Sequence, residues 1–348
     1  MVRTHPDQPA RTVTPPLFPP CAGSGARLGL GGAPLGNLFA PVTEAEARAV
    51  LDAAWAGGCR SFDTAPHYGN GLSERRIGDA LRAHPRDAFV LASKVGRLLS
   101  PDAAAARAQH GYVDVLPFTQ RWDYGAAGVR RSVEDSLQRL GMARLDVVYV
   151  HDCDAATHGA AAAAVRRRVI DEALPALQQM KREGLVRAVG LGVNDVAIVL
   201  DVLREADIDA LMLAGRYSLL DHGALPQLLP QCLDRGVRIA LGGVFNSGLL
   251  AAGTRGGAVA RFDYAAAAGP WIERTARIEA VCEAHGVPLR AAALQFPLAH
   301  PAIEAVMVGA RRAAEWHDAL AMVGHPIAAA FWRDLRGAGL LPDEAPTP

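Results

Sequence analysis

Short apolar runs alternate with amphipathic stretches from Arg27 onward, and the alternation repeats eight times. RLGLGGAPLG, counted as a strand from Leu28, enters a glycine turn. Thr43-Glu-Ala-Glu46 is a capping box that opens a helix running to about Ala56, where Gly57-Gly58 stops it. The same rhythm predicts strand Arg60–Asp63 with helix Ser73–Ala83, strand Phe89–Lys94 with helix Gly128–Leu140, and strand Asp146–Val150 with helix Val169–Glu183. It continues as strand Arg187–Leu191 with helix Val196–Ala206, strand Ala210–Leu213 with helix Leu225–Arg235, strand Val237–Leu241 with helix Trp271–His285, and strand Ala305–Val308 with helix Ala313–Val323.

Eight parallel strands covered by helices can close into a (β/α)8 TIM barrel, an α/β architecture without sheet edges. An open doubly wound sheet is disfavoured because no G-x-G-x-x-G opens a helix after the first strand; GLGGAPLG runs into a proline and a loop instead. The expected organisation is an irregular lead-in over 1–26, one barrel domain over 27–340 that includes a late helix at Ile327–Arg336, and a loose tail over 341–348.

Composition narrows the function classes. The formal charge is zero with 36 basic and 36 acidic residues, so no electrostatic footprint for nucleic acid or an anionic membrane is present. No apolar run is long enough for a membrane span, and the proline-rich start does not read as a signal peptide. The five cysteines are scattered without zinc spacing, which fits reduced thiols in a cytoplasmic protein and no metal site. A small-molecule substrate is the expected partner; the oligomeric state is left open.

In a barrel of this kind the loops after the strand C-termini form the active face. Asp63, Tyr68, Lys94, His151 and Asn194 all fall at or just after predicted strand ends. A carboxylate, a phenol, an amine and an imidazole are the groups needed to move a proton while a cofactor moves a hydride. Taken singly, each has an ordinary structural role as a turn former, packing ring or solvated charge. Two long connections rise over the same face as expected lids: Gly96 to Gly125, which carries Trp122 and Tyr124, and Val244 to Gly269.

FDTAPHYGNGLSERRIGDAL, LASKVG, RRSVEDSLQRLGMARLDVVYVHD and ALQQMKREGLVRAVGLGVN stand in this order in the chain. With these blocks the sequence resembles the aldo-keto reductase superfamily over Arg27 to Val323. GLGGAPLGNL, AGRYSLLD and GGVFNSGLL are most similar to bacterial aldose 1-dehydrogenases of the D-threo-aldose or L-fucose type, and to relatives acting on L-galactose or pyridoxal. The resemblance implies Tyr68 as proton-transfer residue, Lys94 beside it to lower the phenol pKa, Asp63 paired with that lysine, and His151 at the substrate oxygen. It also implies NAD(P) bound in extended form. Gly31, Gly32, Ala33, Asp63, Asn194, the segment Val244, Phe245, Asn246, Ser247, Gly248 and Leu249, and Gly309 would meet the cofactor.

Ala214 and Leu241 stand where relatives carry a glutamine and a stacking aromatic, so Tyr217 or Phe245 is expected to substitute. Glu315 favours NAD over NADP, against Arg311 and Arg312, which could pair with a phosphate. Trp122 and Tyr124 are expected either to stack on a sugar or to latch their loop. The implied reaction is oxidation of an aldose hemiacetal to a lactone. The rivals are a general aldehyde or ketone reductase and, in a different class, a nicotinamide-binding redox sensor; a hydrolase or aldolase is disfavoured.

Overall fold

The computed structural model describes residues 16–255 and 261–348. Eight parallel strands close into a barrel: β1 (Leu28–Gly31), β2 (Ser61–Asp63), β3 (Val90–Val95), β4 (Leu145–His151), β5 (Val186–Val193), β6 (Ala210–Ala214), β7 (Arg238–Gly242) and β8 (Ile303–Gly309). Each strand pairs with its neighbours in the chain, and β1 closes the ring on β8 with Leu28 opposite Val306 and Gly31 opposite Gly309. The expected fold class is the observed one.

Alternation along the strands sorts the side chains into two cores. Ala92, Val147, Tyr149, Ala188, Ala210, Met212, Ala240, Ala305 and Met307 fill the barrel interior, while Leu91, Val148, Val189, Leu211, Ile239 and Val306 point outward into the helical layer. The capping box forms as the sequence implies: Glu46 N–H donates to the Thr43 hydroxyl at 3.2 Å, and Thr43 N–H donates to the Glu46 carboxylate at 2.9 Å.

Four expectations change. Between β7 and β8 the expected helix Gly269–His285 is followed by a second long one, Leu289–Leu298. The second, which lies against β8 and the helix Ala313–Val323, is masked in the sequence by Pro288 at its cap, Pro297 inside it and a run of alanines. The helix expected from Val169 starts earlier: Ala162–Arg168 leads through a π turn at Val169–Ala173 into Leu174–Arg182. The tail is packed, with Leu340, Leu341 and Ala345 buried and the Ala345 carbonyl accepting from Arg336 at 2.9 Å.

The lead-in is the fourth. Its residues 1–15 lie outside the described residues, but Phe18 is buried in the barrel interior at the strand N-termini. The Glu304 carboxylate holds it there by accepting from Leu17 N–H at 2.9 Å and Phe18 N–H at 3.2 Å. Among the described residues no helix is long and apolar enough to cross a membrane.

Candidate functional site

A cavity of about 930 Å³ opens at the C-terminal ends of the strands. A smaller one, about 550 Å³, lies at the opposite end beside Phe18 and Glu304 and contains none of the predicted site residues. Tyr68, Lys94, His151 and Asn194 line the larger cavity, as does Ala33.

Residue by residue, the strands deliver these groups as the sequence implies. β2 ends on Asp63 and β3 carries Lys94; their side chains pair at 2.6 Å, and Lys94 Nζ also donates to the Thr64 carbonyl at 2.9 Å. Both are buried, so each charge depends on the other. After β2 the chain turns through Gly69 and Gly71, both at positive φ, and sets the Tyr68 ring 4.6 Å from the Lys94 ammonium. His151, the last residue of β4, meets Tyr68 edge to face at 6.1 Å.

Protonation follows from burial. Desolvation pushes the Tyr68 phenol well above its ordinary pKa, and the Asp63 carboxylate pushes in the same direction. This corrects the expectation that the ammonium lowers it: Tyr68 rests as a neutral phenol. His151 is held well below the usual imidazole value by burial, then by the Arg97 and Lys94 cations, and is neutral as well. Asp63 is raised by burial, with Lys94 opposing.

Sequence reasoning missed several residues in or beside the cavity. Arg97 opens an antiparallel hairpin, Arg97–Pro101 paired with Phe118–Trp122, where the sequence predicts a lid loop. It donates to His151 Nδ1 at 2.9 Å and to Asp152 at 2.7 Å, and its guanidinium lies 3.9 Å over the Trp122 ring. His67 lines the cavity and is pushed down to about 3, by burial first and Arg97 second. Tyr112 stacks beside Tyr68 at 6.0 Å, with His110 and Phe39 further out. Tyr264, between the short strands Arg261–Phe262 and Ala265–Ala266, reaches over the mouth; the adjacent Asp263 is clamped by Arg216 at 2.6 Å.

The remaining predicted residues fall elsewhere. Tyr124 is buried, its hydroxyl donating to the His151 carbonyl at 2.8 Å, and Trp122 stacks on it at 5.7 Å; neither lines the cavity, and the pair is a latch for the hairpin. Tyr217 is buried against Phe296 and His300, and Phe245 packs on the core, so neither substitutes for the missing aromatic platform. Val244 and Leu249 are buried. Asn246 accepts from the Ser218 hydroxyl at 2.6 Å, and Ser247 accepts from Tyr264 N–H at 2.9 Å, both at positive φ just before Gly248.

Gly31 pairs in register with Gly309 and Asp63, and Gly32 N–H donates to the Asp63 carbonyl at 2.7 Å; a Cβ at Gly32 would stand 2.6 Å from the Ser73 hydroxyl. Glu315 accepts from the Arg311 N–H at 2.8 Å at the start of helix Ala313–Val323. The five cysteines are free and buried.

Comparison with known proteins agrees with this geometry. Residues 27–339 match the Aldo/keto reductase family. The chain is 42% identical to pyridoxal 4-dehydrogenase of Microbacterium luteolum and 39% identical to D-threo-aldose 1-dehydrogenase of a Pseudomonas species, in each case over 90% of this chain and 94% of the relative. It is 29% identical to L-galactose dehydrogenase of Arabidopsis thaliana over 85% of this chain and 83% of that one. In fold it resembles the glycerol dehydrogenase of Gluconobacter oxydans, with a TM-score of 0.70 at 21% identity over 93% of each chain. A closed barrel carrying a buried lysine and carboxylate beside a phenol, matched by the family along nearly its whole length, makes this chain a member of the aldo/keto reductase family and an oxidoreductase.

Proposed function

We propose that the protein oxidises an aldose at C1, from hemiacetal to lactone, and that the same site reduces aldehydes in reverse. The observation that carries this reading is the meeting of Tyr68, Lys94 and His151 on one cavity, with the phenol and the imidazole both neutral. In reduction Tyr68 hands its proton to the substrate oxygen while His151 donates a hydrogen bond from Nε2 to the same oxygen. In oxidation Tyr68 first gives its own proton up to solvent, and the phenolate then takes the hydroxyl proton. Lys94 sets the field at the phenol, and Asp63 keeps Lys94 charged and oriented.

The residues present fit a nicotinamide dinucleotide. Beside Lys94 the cavity is lined by Gly192, Met212 and Ala214, whose small or unbranched side chains leave room for a flat ring; a Cβ on Gly192 would crowd Tyr149 Cβ at 3.2 Å and the Lys94 stem at 3.5 Å. Bound there, the nicotinamide supplies or accepts the hydride. Asn194 at the end of β5 would hold its amide, the small residues around Gly31, Gly32, Ala33 and Gly309 would allow close approach, and the backbone of 244–249 would follow the pyrophosphate. Glu315, with Arg311 beside it, would meet the adenosine; a carboxylate there repels a 2′-phosphate and so favours NAD.

A second reading, oxidation of an aromatic aldehyde of the pyridoxal type, is favoured by the ring-lined side of the cavity, where Tyr112, His67, His110 and Phe39 gather around Tyr68, and by the name of the 42% identical relative. Steady-state rates on L-fucose, D-arabinose, L-galactose and pyridoxal, each with NAD and with NADP, separate the two. Lactone formation from the aldoses with NAD supports the first, and turnover confined to pyridoxal replaces it with the second.

A further inference from the structure

Of the three imidazoles that line the cavity, His67 and His151 are held in opposite tautomers, and the hydrogen-bond network around them fixes which is which. The His67 tautomer is fixed by two groups that can only accept. The carbonyls of Leu116 and Phe118 both face one terminal atom of Asn70, at 3.2 and 2.6 Å, so that atom is the amide nitrogen. The Asn70 oxygen therefore faces Gln120, and the Gln120 atom 2.7 Å from it is the amide nitrogen. That leaves the Gln120 oxygen 2.9 Å from His67 Nδ1. Nδ1 carries the proton, and Nε2 keeps its lone pair.

His151 is fixed from the other side. Arg97 has donors only, so His151 Nδ1, 2.9 Å from it, presents its lone pair and the ring proton sits on Nε2. Asp152 lies 3.6 Å from that nitrogen, too far for a hydrogen bond. Burial and the neighbouring cations keep both rings neutral, so neither pattern is scrambled by protonation near pH 7.

The rings of Tyr68, His67 and His151 form a nearly equilateral triangle with edges of 6.1, 5.8 and 6.1 Å, and all three line the cavity. Two corners, Tyr68 and His151, donate to the reacting oxygen in the reading proposed above, on which this inference rests. The third corner accepts. We propose that His67 is a specificity-determining residue: its Nε2 accepts a hydrogen bond from a hydroxyl on the carbon next to the reacting one. The preferred substrates are then 2-hydroxy aldehydes, the corresponding cyclic hemiacetals and other alcohols bearing a neighbouring hydroxyl. A deoxy analogue would leave a desolvated lone pair without a donor.

Two measurements on the full chain test this. Long-range 15N–1H spectra of histidine-labelled protein without substrate should show His67 protonated on Nδ1 and His151 on Nε2; His67 protonated on Nε2 would overturn the proposal whatever the kinetics. Reduction of 2-hydroxypropanal and propanal is then compared. The wild type should favour the hydroxy aldehyde in kcat/KM by roughly tenfold or more. His67→Phe should bring the ratio to near one with dinucleotide affinity unchanged, and His67→Gln, whose amide oxygen can accept, should keep most of the preference.

Gln120→Leu, which keeps the imidazole but frees its tautomer, should lose the preference too and covers the case in which His67→Phe fails to fold. An unchanged ratio in His67→Phe or, failing that, in Gln120→Leu, with the expected spectra, defeats the proposal alone. A wild type that reduces neither aldehyde defeats the proposed reading of the site beneath it and the proposal together.

Discussion

Arg97 donates to His151 Nδ1 across 2.9 Å while its other terminal nitrogen holds Asp152 at 2.7 Å. Its guanidinium thus orients an imidazole it also keeps uncharged, by adding a fixed cation beside a buried ring. Besides Arg97 and Asp152, the groups facing His151 are Lys94, His67 and Tyr68. Arg97→Met should lower kcat by roughly 10- to 100-fold, as expected when a proton-work group loses its alignment. Dinucleotide affinity should change little. With the cation gone, the His151 pKa rises, so an inactivating protonation should enter the acid limb of the kcat/KM profile. A profile identical in shape to the wild type would show that Arg97 only holds the hairpin.

The raised pKa of Tyr68 predicts an asymmetry between directions. Carbonyl reduction needs the phenol protonated, and burial keeps it so; His151 is held well below its ordinary value and His67 at about 3, both neutral. Reductive kcat/KM should therefore be flat from about pH 6 to 9. Oxidation needs the phenolate and should rise with pH over the same range. Tyr68→Phe should cost roughly 10²- to 10⁴-fold in turnover in both directions. Fluorescence titration should find the cofactor bound as before.

Asp63 and Lys94 form a buried pair, so removing one partner leaves a charge in a dry site. Asp63→Asn should lower the unfolding free energy by about 3–5 kcal/mol, measured by urea denaturation. Replacing both, as Asp63→Asn with Lys94→Met, should recover part of that loss while activity stays absent. A single variant as stable as the wild type would contradict the burial of the pair.

Phe18 predicts a role for the lead-in in stability. Truncation to alanine should cost about 3–5 kcal/mol, as for other large rings removed from a core. Because Phe18 sits at the end of the barrel away from the cavity, kcat and KM at 25 °C should be unchanged.

How far the sequence could be read depended on the range of the interactions. Strand ends at Asp63, Lys94 and His151 are local features, written in apolar runs followed by a polar group, and the barrel follows from counting them. Arg97 was invisible because its partner lies 54 positions away, and next to the glycine after β3 it reads as an ordinary loop cation. His67 was hidden inside the turn that presents Tyr68. Its function depends on Gln120, which is brought beside it only when the segment 97–122 folds back as a hairpin. The helix Leu289–Leu298 failed for a local reason: prolines at both ends and alanines between them erase the amphipathic signature.

The ring closes between β1 and β8, and Glu304 ties Phe18 into place, so the first and last thirds of the polypeptide meet at one seam. During synthesis the nascent chain must carry an open, incomplete cylinder with two unpaired strand edges until residue 309 has left the ribosome. Premature termination before β8 therefore yields a species with exposed β1 and β7 rather than a shorter working enzyme, and such fragments belong to the chaperone and protease machinery of the cell.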